Sequence, residues 1–198
     1  MRRLAKIIIL GLSGLTVATS ATPQATSSAP QGADKQERSR SYFGDEVLLD
    51  QDGVSHRFFS DLLSGRVVLI NVIFTNCKDA CPLQTQRLQS VRRQLGERFG
   101  SEIVFLSLSV DPKRDNPAVL KKFAAKQNAD VPGWRFLVAE EAVMAAVLGR
   151  LGQWTNDPTN HGTLLIAGNA SQAHWLKLRP DSPPERIAAD LLRLSGKN

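Results

Sequence analysis

Apolar runs and helical-period stripes alternate along this chain from residue 46 to its end. EVLLDQDGVSHRFF (46–59) is two short β-like runs flanking Asp52-Gly53, a hairpin signal. Asp61 to Leu63 reads as a connecting turn. Val67 to Phe74 is an apolar run broken only by Asn71, the signature of a strand buried on both faces. After Pro82 the period changes: Leu88, Val91, Leu95 and Phe99 recur at helical spacing. A second buried strand spans 103–110 and stops at Asp111-Pro112. A helix over 117–127 follows, with Val119, Leu120 and Phe123 inward. Pro132-Gly133 turns the chain into a short strand at 136–138, and a third helix runs 140–151. The loop GQWTNDPTNHG (152–162) is polar and turn-rich, the kind that tends to carry function. Strands over 163–167 and 172–178 come next, and Pro183-Pro184 opens a last helix with Ile187, Leu191 and Leu194 apolar.

Alternating β and α elements predict an α/β fold: a sheet with parallel strands and helices on both faces. Two consecutive strands and a closing helix at the end give it a thioredoxin-like pattern, a three-layer sandwich carrying an N-terminal β-hairpin extension. The domain is expected over 42–198.

The first residues differ. Arg2, Arg3 and Lys6 form a basic stretch before an apolar run, Ile7 to Ala18, that is shorter than the ~20 residues a spanning helix needs. Small residues follow. Residues 1–21 therefore read as a secretory signal peptide, with a short uncleaved membrane anchor as the lesser option. No Cys follows the run to accept a lipid. Residues 22–41 are rich in Ser, Ala, Gln and Pro without apolar period, and read as a flexible tether.

Composition then narrows the function. An apolar fraction of 42% and a charged fraction of 22% are those of a globular chain that needs no disulfide framework. The net charge of +6 falls to about +3 once Arg2, Arg3 and Lys6 are removed with the signal segment, and the remaining bases are scattered. No nucleic-acid partner is expected.

The only two cysteines, Cys77 and Cys81, follow the first buried strand and precede Pro82. Their ring is too small for a structural disulfide to stabilise much. Proline is welcome in the first turn of a helix, so Cys81 reads as the N-cap and 77–80 as a loop leading in. The helix N-terminus and Lys78 favour thiolates, Asp79 opposes them, and both thiols are expected to be partly exposed and reactive. Thiolate is a soft ligand suited to Cu(I) or, with nitrogen, Cu(II) or Zn(II). Imidazole could complete such a site. His56 and His174 lie in β-like runs and read as ordinary strand histidines. His161 ends the polar loop just before a strand, beside the cysteine loop in a thioredoxin-like sheet, and is the candidate third ligand.

Cys-x-x-x-Cys-Pro after a buried strand, SVDPKRDNP after the next strand and a histidine before a later one together resemble the Sco/SenC family. These are exported thioredoxin-like copper proteins associated with assembly of the dinuclear copper centre of cytochrome c oxidase. The resemblance covers roughly 42–195 and implies that Cys77, Cys81 and His161 bind copper, as Cu(I) and also Cu(II). Asp111 matches the family's Ser-Val-Asp-Pro aspartate, although Asp-Pro is a turn signal in its own right. Lys78 stands where the family often has Pro, and LLIAGNAS replaces an expected Asp-Gly ending. A cation beside the ligands repels doubly charged copper more than singly charged copper, so Lys78 shifts the expected preference toward Cu(I). The expectation is a metallochaperone in the periplasm or on the outer face of the cytoplasmic membrane. Its partner is the oxidase subunit with the dinuclear copper centre, or another periplasmic copper or thiol protein. The alternative is a thiol–disulfide oxidoreductase whose redox pair is Cys77 and Cys81. A peroxiredoxin-type peroxidase lacks its Thr-x-x-Cys setting, and a closed structural zinc site lacks a fourth ligand.

Overall fold

The structure, a computed structural model, describes residues 31–196. Its centre is a five-stranded mixed sheet in the order β5-β4-β3-β6-β7. Strands β3 (Val67–Ile73), β4 (Ile103–Ser109) and β5 (Trp134–Leu137) are parallel, whereas β6 (Leu165–Asn169) runs antiparallel to β3 and β7 (His174–Leu178) antiparallel to β6. Every residue of β3 and β4 is buried, as their apolar runs require. Side chains alternate between two cores. Val67, Leu69, Ile73, Phe105 and Phe136 pack under α2 (Ala80–Leu95), α3 (Pro117–Lys126) and α5 (Pro184–Leu194). Val68, Ile70, Val72, Leu106 and Leu108 face α4 (Glu141–Arg150) and the N-terminal elements. This is the expected three-layer thioredoxin-like sandwich. The hairpin β1 (Val47–Leu49) and β2 (Ser55–Arg57) is present too, and an antiparallel bridge from Leu49 to Val138 attaches it to the edge of the sheet.

One boundary needs correction. Of the stretch 22–41 read as tether, the part from Gln31 on is helical, in α1 (Gln31–Phe43); residues 22–30 and the segment 1–21 read as signal peptide lie outside the described residues. The stretch lacks apolar period because its buried face is not apolar. Ser39 donates to the Ala170 carbonyl at 3.0 Å, Gln36 donates to Ser64 Oγ at 3.0 Å, and only Phe43 enters the core. Good helix formers such as Ala33, Lys35, Glu37 and Arg38 do the rest. The turn expected at 61–63 is likewise part of a six-residue π-helical segment, Phe58–Leu63, which buries Phe58, Phe59, Leu62 and Leu63.

Gly133 shows how tightly the ends of the sheet are packed. It holds φ of 88°, and a Cβ there would stand 2.4 Å from the Gly100 Cα. Only glycine passes this crossing of the β3–β4 and β4–β5 connections.

Candidate metal and redox site

β3 delivers the chain to the site at its C-terminal edge. A turn closed by Cys77 N–H to the Phe74 carbonyl (3.2 Å) aims Cys77 outward. α2 then begins at Ala80, earlier than expected, so Cys81 lies in its first turn instead of capping it. Pro82 is compatible with this start because the first four N–H groups of a helix have no intrahelical partner. Cys81 consequently points into the core with Leu88 and Val91 and is buried, while Cys77 is half-buried.

Of the two thiols expected to be partly exposed and reactive, Cys77 is as expected and Cys81 is not. Burial alone would raise the pKa of Cys77. The Cys81 N–H, at 3.3 Å from Cys77 Sγ, the Cys81 thiol and the N–H groups of Asp79 and Ala80 outweigh it, leaving Cys77 below the ordinary thiol value. Burial pushes Cys81 the other way, up to about 12, and the neighbouring Cys77 and Asp115 add to the rise. A thiol at that value is roughly one part in ten thousand thiolate at pH 8. Iodoacetamide at pH 8 is therefore expected to alkylate Cys77 at least 100-fold faster than Cys81, read by peptide mass spectrometry. Equal rates, or Cys81 labelled first, would contradict this polarity.

His161 arrives from the other side of β3. The antiparallel register Ile70↔Ile166, continued outward, sets it level with the cysteine loop. A 3₁₀ turn, Pro158–Asn160, started by the Asp157 side chain accepting from Thr159 N–H, precedes it. Its Nδ1 lies 2.8 Å from the Gly162 carbonyl. A carbonyl only accepts, so Nδ1 carries the proton and Nε2 presents its lone pair. That Nε2 stands 3.9 Å from Cys81 Sγ, and the edge-to-face ring of Phe74, 5.6 Å away, holds the imidazole plane. Ligand distances near 2.0 and 2.3 Å place a nitrogen and a sulfur roughly 3.6–3.8 Å apart around one metal. Among the described residues no metal cage of three or more such side chains is already closed. The gap from Nε2 to Sγ is only a few tenths of an ångström wider than ligand spacing, and the donor set of two sulfurs and an imidazole fits copper.

His56 and His174 are elsewhere. His56 bonds Asp50 at 2.8 Å inside the hairpin, and His174 is exposed on β7. Trp154, on the same loop as His161, packs against the core on the α4 side. Asp111 organises the turn after β4: its carboxylate receives Arg114 Nε at 2.6 Å and its carbonyl receives the N–H groups of Arg114 and Asp115.

Two sets of supporting residues had not been singled out. Buried Asp115, at the entry to α3, accepts from Thr75 N–H and Thr75 Oγ1 (2.5 Å) and from Ser109 Oγ (2.6 Å). It ties the cysteine loop to the end of β4. A polar chain also crosses the sheet: Trp134 Nε1 donates to Ser107 Oγ, Ser107 Oγ to Asn71 Oδ1, Asn71 Nδ2 to Gln84 Oε1, and Gln84 Nε2 to the Thr163 carbonyl. This chain clamps α2, which carries Cys81, to the loop that carries His161. Asn71, the lone polar residue of the β3 run, was its visible trace.

The family model described as SCO1/SenC matches residues 35–193. A SCO1 protein homolog of Bacillus subtilis is 38% identical over 88 residues, which is 44% of this chain and 44% of the relative. The match thus spans less than half the length of such curated relatives. Among solved structures, Bradyrhizobium japonicum ScoI with copper bound superposes with a TM-score of 0.64 at 27% identity, covering 76% of this chain and 98% of that one. BsSco, described as a member of the Sco family of cytochrome c oxidase assembly proteins with a disulfide switch, gives 0.66 at 24% identity, over 79% and 94%, and speaks for the fold alone.

Proposed function

The chain belongs to the SCO1/SenC family, and from that premise we propose that it is an exported copper-binding protein serving assembly of the dinuclear copper centre of cytochrome c oxidase. Cys77, Cys81 and His161 hold the copper, which is cargo. The observation that carries this reading is the approach of His161 to Cys81, the buried member of the thiol pair, with Nδ1 fixed on the Gly162 carbonyl and the Nε2 lone pair aimed at the Cys81 sulfur. Relatives solved with copper bound, such as that of B. japonicum, support the choice of metal. Two thiolates suit Cu(I), and the added imidazole admits Cu(II). Cys77 is half-buried at the surface end of the site, where an incoming ligand can exchange with it. The recipient is the oxidase subunit carrying the dinuclear centre, met in the periplasm or at the outer face of the cytoplasmic membrane. Among the described residues no helix is long and apolar enough to cross a membrane.

Titration of the reduced full-length chain with Cu(I) and with Cu(II) tests this. One equivalent of each is expected, with a thiolate charge-transfer band for Cu(II). Failure to retain either ion sinks the reading.

A second reading has its own observation. Cys77 is the accessible, low-pKa thiol and Cys81 the buried, high-pKa one, the polarity of an attacking and a resolving cysteine. As a thiol–disulfide oxidoreductase the protein would reduce a partner's copper-site cysteines before metal insertion. Stoichiometric disulfide exchange without metal retention decides for this alternative.

A further inference from the structure

We propose that the groove on the Cys77 side of the site receives an acidic segment of a partner protein, which meets Cys77 before Cys81. The inference rests on the reading of Cys77 as a group through which exchange with a partner proceeds.

The thiol pair lies between two grooves of opposite character. Cys81 and His161 open onto one of about 240 Å³ with Ala80, Leu83 and Pro180 in its walls. Its two charged residues are already engaged: Arg87 donates to the Pro180 carbonyl at 2.8 Å, and Asp181 pairs with Arg179 at 2.7 Å. Cys77 opens onto the other, about 400 Å³, between the cysteine loop and α3. The charged side chains lining it are Lys78, Lys122 and Lys126, all exposed, with no carboxylate among the lining residues. None of the three makes an ion pair or side-chain hydrogen bond among the described residues. Their neighbour Lys121 differs: it is held by Asp52 and Asp130.

Uncompensated like charges at i and i+4, as at Lys122 and Lys126, weaken a helix. Kept beside a reactive cysteine, they supply a focused positive field that an anionic partner completes. The floor is partly apolar, with Pro82, Val119 and Phe123, so the ligand needs carboxylates and an apolar group on one chain. A free inorganic anion could balance the charge but would not fill the groove. A membrane surface is flat, whereas this site is concave. An acidic peptide segment satisfies all three conditions.

The test uses the reduced full-length chain and two synthetic peptides of equal length. Each carries one cysteine as a mixed disulfide with thionitrobenzoate, flanked by four Glu in one peptide and four Gln in the other. The Cys77 thiolate attacks the peptide sulfur, the peptide–thionitrobenzoate bond breaks, the Cys77–peptide disulfide forms, and the thionitrobenzoate dianion leaves and is read by its absorbance. The Glu peptide is expected to react roughly tenfold faster at low salt, with the ratio falling toward unity near 0.5 M. Lys122→Gln with Lys126→Gln should abolish the preference, and Lys122→Glu with Lys126→Glu should reverse it. Glutamine keeps helix propensity at these exposed positions, and the wild-type salt dependence needs no substitution at all. Equal rates for the two peptides at low salt overturn the proposal, as does a preference that survives the double glutamine variant. Lysine-dependent sedimentation with phosphatidylglycerol vesicles and no peptide preference assigns the groove to a membrane instead. Copper titration separates the two readings: a chain that keeps the peptide preference but retains no copper disproves the copper role alone. One that binds copper without the preference disproves the groove alone.

Discussion

Replacing His161 with alanine is expected to remove tight Cu(II) binding while Cu(I) is still retained. The reason lies in which donors each ion needs. Cu(I) is satisfied by two soft thiolates, and both remain in the variant. Cu(II) needs the borderline nitrogen as well. Loss of supporting residues around a metal ligand commonly costs 10–100-fold in affinity, and loss of the ligand itself should cost at least about 100-fold. The visible sign is disappearance of the thiolate-to-Cu(II) absorption band. Cys77→Ala and Cys81→Ala should each lose both ions, because one thiolate leaves even Cu(I) under-coordinated. The Cys81 variant carries a second cost, since that side chain also fills core space beside Leu88 and Val91. Its folding should therefore be followed in the same samples, and Cys81→Ser provides a closer match in size. Undiminished Cu(II) affinity in His161→Ala would remove histidine from the ligand set and leave a bare dithiol, which is the oxidoreductase's equipment.

The parts of this site that could be read from the sequence are those written in local pattern. The β3 run announced a strand with both faces covered, and both faces are covered. The position of His161 followed from the element order, because an antiparallel β6 must return its loop to the end of β3. What escaped was set by tertiary contact. The α1 helix is anchored by the Ser39 hydroxyl, the Gln36 amide, the Tyr42 hydroxyl on the Arg150 carbonyl and the buried Phe43, so no apolar stripe marks it. Pro82 indicated a helix start but not its exact residue, since any position of the first turn tolerates proline. That shift of two residues converts Cys81 from a partly exposed cap into a buried thiol. In SVDPKRDNP two aspartates compete for notice, and the motif drew attention to Asp111. The path from β4 into α3 decides that Asp115 is the one reaching the cysteine loop.

Asp115→Ala is accordingly expected to destabilise the protein by about 3 kcal/mol, because it strands donors that the carboxylate now accepts from. Thr75 N–H is a backbone group with no freedom to turn elsewhere, whereas the Thr75 and Ser109 hydroxyls can rotate to partial substitutes. For a domain of this size the loss corresponds to a fall in Tm of about 10 °C. Asp115→Asn should cost less than about 1 kcal/mol. Its carbonyl oxygen still accepts from Thr75, and the Ser109 hydroxyl can turn to accept from its amide. The pair of variants also separates by pH. Burial raises the Asp115 pKa in the folded chain despite its hydrogen bonds to Ser109 and Thr75. The folded state then holds its proton to higher pH than the unfolded state, so this group's contribution to stability falls as pH rises from the unfolded carboxyl value through the folded one. Asp115→Asn removes that slope and should flatten the stability profile above pH 4 relative to wild type. Loosening the cysteine loop has a chemical readout as well. In Asp115→Ala, Cys77 drifts from the N–H groups of residues 79–81 that favour its thiolate, and its alkylation should slow toward that of an ordinary thiol. A variant as stable as wild type, with Cys77 equally reactive, would mean that the loop is held by the turn to Phe74 and by α2 alone.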